Sequence, residues 1–417
     1  MSANSRTRRP VAGHGQLRKP SAWGQLLKIV GIAMAVVLVS GVSVAAYVFN
    51  DLSKPFTDNA VDIAGQESVP PDIGAIEGGV NMLLVGSDEC EEGYEESFGE
   101  RCTEDEGGAR NDVNMLLHIS DNPRRVTVVT FPRDLMVPRP ECTDENGNET
   151  SASSKAQINL ALDTGGLNCV VQTVSELSGL DIQFAAKVTW QGVIDITNSI
   201  GGVPVCIANG LSDPYTGLDL PAGVVNLAGW NALQFLRTRH GIGDGSDLGR
   251  ISNQQVYMSA LARKLVSEEV LTNPATLLSL ARTALENVTP SKSLTNPVLL
   301  VQIALAMKNV PYEDINFLQY PVFTDPDDID RVVPDYDSAD ILWAALEANQ
   351  QLQVTGHSDG AVNPDGSPIE TPVDTTPGDG ETVDPSTPPT TPGVVTLPDG
   401  VKGQSAKDET CSNGVGN

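Results

Sequence analysis

Short, unbroken apolar runs alternate along this chain with stretches whose apolar positions recur every three or four residues. Val80–Gly86 (VNMLLVG), Val113–Ile119 (VNMLLHI) and Val126–Phe131 (VTVVTF) are of the first kind, the signature of strands buried on both faces. Asp121-Asn122-Pro123 separates the second from the third, a turn signal that predicts an antiparallel hairpin. A helical stretch through Cys169, Val170, Val171, Val174 and Leu177 follows. Next come a strand at Phe184–Trp190, a helix at Gln191–Ile200, and the turn Gly201-Gly202 into a strand at Val203–Ile207. Helical spacing returns at Leu227–Leu236 and at Asp247–Val266, the latter through Leu248, Ile251, Met258, Leu261 and Leu265. Two apolar helices at 274–287 and 296–309, a strand at Ile315–Tyr320 and a helix at 338–349 complete the pattern. Such alternation predicts an α/β fold, a mixed sheet with helices on its faces.

The segments outside this pattern differ in kind. Residues 1–28 carry Arg6, Arg8, Arg9, Arg18, Lys19 and Lys28 and no acid, and residues 29–49 run IVGIAMAVVLVSGVSVAAYVF without a charge. At about 1.5 Å per residue that run crosses a ~30 Å hydrocarbon core, and its basic flank belongs on the cytoplasmic side. The expectation is a cytoplasmic head (1–28), a single transmembrane helix (29–49) and an extracellular remainder. A cleaved leader is the competing reading, with Ser43-Val44-Ala45 as its cleavage site, but the apolar run is longer than a leader needs. Residues 50–78 are polar, with Pro55, Pro70 and Pro71, and read as a stalk. The folded domain is expected at 79–350. Residues 351–417 repeat Thr-Pro, Asp-Gly and Pro-Pro steps and are expected to be a disordered tail, since they lack the apolar surface to offset ordering.

Charge and cysteines narrow the setting. The chain carries a net −28, to which the first 28 residues contribute +6, so the rest carries −34. That excludes bulk nucleic-acid binding. All six cysteines lie beyond the apolar run, and an even count in an oxidising compartment points to disulfides. Cys90 and Cys102 bracket an acidic stretch and form the natural local pair. Cys142–Cys169 is the next candidate, and Cys206–Cys411 follows by elimination from 15 arithmetically possible pairings. No Cys-x-x-Cys is present.

Against this acidic background, basic residues at element ends become informative. The first strand runs into Ser87-Asp88, the second follows Arg110-Asn111-Asp112, and the third runs into Pro132-Arg133-Asp134. Residues 237–255 add Arg237, Arg239 and Arg250 around a Gly-rich turn, with Gln254 one helical turn past Arg250. Ligands of open α/β sheets bind beyond strand ends. Arginine's planar fork holds phosphate oxygens bidentately. Two carboxylates beside several arginines suit a magnesium-bound pyrophosphate, with the acids on the hard cation and the arginines on the charge of a transferring phosphoryl group. Asp112 and Asp134 are candidates for the base, and Asp247 is placed to orient Arg250. Each has a plainer reading as an ordinary surface charge, and His118, on an apolar strand, reads as core. No P-loop, Gly-x-Ser-x-Gly, His-Glu-x-x-His or dinucleotide fingerprint is present.

Several segments in one order carry a resemblance: NMLLVGSD (81–88), RNDVNMLLHI (110–119), FPRD (131–134), QINLAL (157–162), TGG (164–166), GGVPVCI (201–207), DPYTGLDLPAG (213–223), ALQFLRTRH (232–240) and SDLGRISNQQ (246–255). Together they resemble the LytR-CpsA-Psr family of bacterial envelope proteins, actinobacterial type. The resemblance implies a three-layer α/β/α fold around a mixed sheet, with an apolar tunnel for a polyprenyl chain. It implies a phosphotransferase that moves a glycopolymer from a polyprenyl-pyrophosphate carrier to a cell-envelope hydroxyl, on peptidoglycan or a surface protein. By position, Asp88 and Asp112 look like Mg2+ ligands. Arg110, Arg133, Arg237, Arg239 and Arg250 resemble phosphate-contacting arginines, with Gln254 beside them. Two positions depart from the family: Asn253 stands where many members have Arg, and Gln157-Ile158-Asn159 replaces Lys-Ile-Asn, with Lys155 displaced. A pyrophosphatase using water as acceptor, and a noncatalytic lipid-binding or regulatory protein, are the alternatives.

Overall fold

The computed structural model describes residues 54, 56–64, 79–91, 98, 102, 109–144, 147–243, 245–266, 274–357, 360–369 and 393–414. The 29–49 segment lies outside them; among the described residues no helix is long and apolar enough to cross a membrane.

The three apolar runs form β1 (Val80–Ser87), β2 (Asn111–Ile119) and β3 (Val126–Phe131). Two short strands follow, β4 (Met136–Arg139) and β5 (Ser153–Gln157), then α1 (Ala161–Ser178), β6 (Phe184–Thr189) and α2 (Trp190–Ser199). Beyond them run β7 (Val203–Ile207), β8 (Gly223–Leu227), α3 (Gly229–Arg237), α4 (Asp247–Val266) and α5 (Pro274–Asn287). The C-terminal part holds β9 (Val288–Pro290), α6 (Pro297–Met307), β10 (Ile315–Gln319), β11 (Val322–Asp325), β12 (Asp328–Pro334) and α7 (Tyr336–Glu347). Last come β13 (Ala361–Val362), β14 (Gly403–Ser405) and β15 (Cys411–Ser412).

The central sheet has the order β9-β6-β1-β2-β3-β10-β14. It is mixed: β1–β2 and β2–β3 are antiparallel, while β1–β6 and β3–β10 are parallel. The unbroken apolar runs are explained by burial on both faces. Leu83, Val85, Leu116, Val129 and Phe131 join one core with residues of α1 and α7. Val80, Met115, Leu117, Val126 and Val128 join a second, with residues of α6 and with Met258 of α4 packed against it. Period-2 alternation thus feeds two cores at once, and the three α/β/α layers are present. A second sheet, β8-β7-β15-β13, carries a third core with residues of α3 and α4. The sequence-derived elements recur with ends shifted by a residue or two, as expected where helices fray.

All three expected disulfides form: Cys90–Cys102, Cys142–Cys169 and Cys206–Cys411. The second explains Gly165 of the TGG segment, and backbone conformation explains Gly166. A Cβ on Gly165 would lie 2.7 Å from Cys142 Cβ and 2.9 Å from Cys169 Cβ, and Gly166 has φ +65°, a conformation that suits glycine.

Two expectations are corrected. Within the supposed stalk, Phe56 and Ile63 are buried, and Val61 exchanges backbone hydrogen bonds with Pro290 and Lys292. Within the supposed disordered tail, β14 extends the central sheet beside β10 and β15 pairs with β7, while Leu397, Val401, Ala406 and Cys411 are buried. These segments are too short to show a hydrophobic period. Isolated apolar residues anchor them instead, helped in the tail by a disulfide that closes a separation of 205 residues.

Candidate functional site

Antiparallel pairing of β1, β2 and β3 brings the end of β1, the start of β2 and the end of β3 to one edge of the sheet. Asp88, Asp112 and the Arg133-Asp134 pair therefore converge, as the strand-end argument requires. At a bulge beside Ser87, Asp88 and Arg110 are held together. The Asp88 N–H donates to the Arg110 carbonyl, and the Arg110 N–H donates to Asp88 Oδ1 at 2.7 Å.

The N-terminus of α4 meets the same edge. Asp247 Oδ2 accepts the backbone N–H of Arg133 at 3.1 Å, and Oδ1 lies 2.7 Å from Arg250 Nη2. Arg250 Nη2 also donates to the Asp112 carbonyl at 2.8 Å. Arg133 Nη1 reaches both Asp112 oxygens at 3.2–3.3 Å. Asp247 is thus the hub that fixes two arginines on different elements. Its i,i+3 pairing with Arg250 is the orienting role expected of it.

A cavity of about 580 Å³ opens here, lined among others by Arg133, Asp134, Arg239, Asp247 and Arg331. Its cations are crowded. Burial, and then the charges of Arg133 and Arg250, lower the proton affinity of Arg239 below the usual arginine value. For Arg133, burial acts the same way, but Asp112, Asp247 and Asp134 outweigh it and raise its pKa. Burial and Asp247 hold the Asp134 carboxyl above its usual value, against the opposing pull of Arg133, Arg331 and Arg250. Around Arg239 the repulsion of Arg133 and Arg250 is opposed by the attraction of Asp247 and Asp134.

Other candidates are placed differently. Arg237 stacks over the Trp190 ring, 3.8 Å from its centroid, a cation–π contact. Phe98, from the acidic disulfide loop, packs against Trp190 and Trp230. Arg110 is exposed. Gln254 is buried and donates to the Leu236 carbonyl at 3.0 Å; it holds the end of α3, next to Arg237, rather than lining the cavity. Asn253 likewise donates to the Phe235 carbonyl and accepts from Ser412, so this departure from the family pattern serves packing. Lys155 pairs with Asp325 and Asp327, away from the arginine cluster.

Arg331 on β12 was not among the expected residues. Its Nη1 donates to Asp134 Oδ1 at 2.8 Å. The only sequence signal was an isolated arginine in an acidic hairpin, DPDDIDRVVP.

Among the described residues, no cluster of three or more His, Cys, Asp or Glu side chains is placed to hold a metal. Asp88 and Asp112 supply two hard oxygen donors from adjoining strand ends, the donor type Mg2+ takes when phosphate and water complete its shell; in the structure Asp88 Oδ1 accepts from the Arg110 N–H and Arg133 reaches both Asp112 oxygens.

A mixed sheet between helical layers, with arginines and carboxylates gathered at its strand ends, defines an α/β protein. Residues 46–348 match the LytR_cpsA_psr family, and the chain belongs to that family. It is 27% identical over 335 residues to "Cell wall biosynthesis protein LcpA" of Corynebacterium glutamicum, covering 75% of this chain and 61% of that protein. It is 32% identical over 235 residues to "Probable cell wall biosynthesis protein LcpB" of the same organism, covering 55% of this chain and 52% of that protein. The chain thus spans between half and two thirds of these curated relatives. Among solved structures, "LytR-Csp2A-Psr enzyme from Actinomyces oris" aligns with a TM-score of 0.51 at 22% identity, covering 69% of this chain and 95% of that one, a likeness of fold.

Proposed function

We propose that this protein is a membrane-anchored phosphotransferase that moves a glycopolymer from a polyprenyl-pyrophosphate carrier to a hydroxyl of the cell envelope. The observation that carries this reading is the cavity at the strand ends, where Arg239 and Arg133 are gathered with Asp134 and Asp247, and Arg250 acts on Arg239 from beside it. Such preorganised cations stabilise charge on a transferring phosphoryl group without reorganisation. Family membership supports the reading. So does a curated relative, "Polyisoprenyl-teichoic acid--peptidoglycan teichoic acid transferase TagU" of Oceanobacillus iheyensis, 27% identical over 260 residues and covering 61% of this chain and 73% of that protein.

In the proposed reaction the acceptor oxygen attacks the sugar-linked phosphorus. A new P–O bond forms, the bond to the bridging oxygen breaks, and polyprenyl phosphate leaves. Arg133 and Arg239 line the cavity and receive the pyrophosphate. Arg250 and Asp247 hold Arg133 and the Asp112 backbone in place, and Arg237, seated on Trp190, lies two residues before Arg239 at the end of α3. Asp134, with its raised proton affinity, takes the acceptor proton. Asp88 and Asp112 would hold Mg2+, which when bound neutralises charge on the pyrophosphate.

The polyprenyl chain is assigned to the apolar side of the sheet near α6. That helix is apolar but for Gln302, and Leu305 is 58% exposed. Three disulfides support a location outside the cytoplasm, with residues 29–49 as the anchor. The test is to incubate the full chain in detergent with magnesium, a polyprenyl-pyrophosphate saccharide, and peptidoglycan or a surface protein. Mass spectrometry then identifies the product. A phosphodiester-linked saccharide is expected; free sugar phosphate alone would make the protein a pyrophosphatase, and binding without turnover a noncatalytic lipid binder.

A further inference from the structure

A second cavity, of about 560 Å³, adjoins the first and shares Arg331 with it. The β11–β12 hairpin frames it on one side and β4–β5 on the other. The two hairpins touch through a bridge between Leu135 and Val332. Asp134 sits at the junction. Its Oδ1 accepts Gln157 Nε2 at 2.7 Å and Arg331 Nη1 at 2.8 Å. Gln157 lines the second cavity, Asp134 the first, and Arg331 both.

The two linings differ by one charge: Arg133, Arg239 and Arg331 face Asp134, Asp247 and Asp330 in the first, and the second has one aspartate more than its basic residues. In the second, Lys155 is neutralised by Asp325 and Asp327 at 2.8 Å each. Arg139 is spent on the Thr164 hydroxyl and the Ser151 carbonyl. Four aspartates face three basic residues in the lining, so the cavity offers no surplus for a polyanion. It offers instead carboxylates, guanidinium and amide groups beside an apolar patch of Met136 and Leu160, the latter 38% exposed. Planar hydrogen-bonding groups around an apolar surface match a sugar ring, which presents hydroxyls at its edge and C–H groups on its face.

Resting on the transfer reading above, we propose that this second cavity is the acceptor subsite, that it takes a saccharide strand, and that Arg331 positions Asp134 at its junction with the phosphate cavity. The strand's hydroxyl then meets Asp134 from one side and the phosphorus from the other. The proton passes to the carboxylate as the P–O bond forms. Asp134 is faced by Arg133, Arg250, Arg331, Gln157 and Asp247, and of these Arg331 and Gln157 link it to the acceptor side.

The test uses the full chain in detergent and soluble peptidoglycan glycan strands as the probe. Calorimetry without donor measures binding. The D163A/D327A double variant changes two exposed cavity residues outside the reaction machinery and is expected to weaken strand binding about tenfold. In transfer assays its acceptor KM should rise by a similar factor, with donor KM and kcat unchanged. Arg331→Ala should lower kcat and move the acidic limb of its pH profile upward, and Arg331→Lys should restore both in part. Equal strand affinity in wild type and double variant overturns the subsite whatever the enzyme transfers. Transfer to a serine-rich peptide with unaltered strand binding overturns the choice of a saccharide. Weakened strand binding in the double variant supports the subsite, and a wild type that then forms no phosphodiester refutes the transfer reading alone.

Discussion

Helix α4 serves two regions that are built on opposite principles. At its N-terminus, Asp247 and Arg250 join Arg133 and Asp112 in the arginine rim. Further along, its polar residues hold the C-terminal strap. Asn253 accepts from Ser412, Gln404 donates to the Gln255 carbonyl, and Arg263 donates to the carbonyls of Ala406 and Asp408. The rim gathers charges that strand ends must bring together. The strap gathers two- and three-residue strands that nothing local would order. The comparison teaches that buried polar residues around a helix, here Ser252, Asn253, Gln254, Gln255 and Ser259, can signal distant backbone to be satisfied as readily as a ligand.

Six variants sharpen or break this contrast, the largest expected effect first. Arg250→Ala leaves the Asp247 carboxylate buried without its close partner. It should cost about 3–5 kcal/mol of stability, read by denaturant unfolding, and abolish transfer as well. Cys206→Ser with Cys411→Ser should cost about 2–5 kcal/mol but leave transfer per folded molecule near normal; a selective loss of transfer would break the division between the regions.

His118 lies outside both regions and serves as the control. Burial pushes its pKa down to about 4 from 6.5, so it is neutral in the native state while the unfolded chain takes up a proton below 6.5. Its contribution is therefore full above pH 6.5 and falls by about 3 kcal/mol as pH drops to about 4. His118→Gln should flatten that part of the stability profile without altering transfer at neutral pH.

Arg239→Ala or Arg237→Ala should lower transfer at least ~100-fold, as for one strong oxyanion donor, with unfolding midpoints little changed. Near-normal transfer by both would refute their role. Ser412→Ala removes one buried partner of Asn253 and should cost about 1–2 kcal/mol, with turnover unchanged.

Much of the fold was legible because β1, β2 and β3 are buried on both faces and so read as unbroken apolar runs, and because Asp121-Asn122-Pro123 marks their hairpin turn. The convergence of Asp88, Asp112 and Arg133 was legible for the same reason: antiparallel order dictates which strand ends meet. Gln254 was misplaced because helical spacing gives a face but not what packs on it. Here that face met the C-terminal carbonyls of α3. Arg331 was invisible because its partner, Asp134, is 197 residues away. The β14 contact was equally hidden. A Cβ on Gly403 would lie 2.3 Å from the Phe317 carbonyl oxygen, a closeness that no three-residue pattern announces.

By itself the sequence determined the α/β layering, the strand-end position of the acids and arginines, and the family. Each follows from local periodicity or from motifs continuous along the chain. Tertiary structure decided which arginines face the cavity, that a supposed tail completes two sheets, and that Asp134 stands between two cavities. Those depend on contacts between residues far apart in the chain. Their geometry is set by the packing of whole elements and by the need to satisfy every buried polar group.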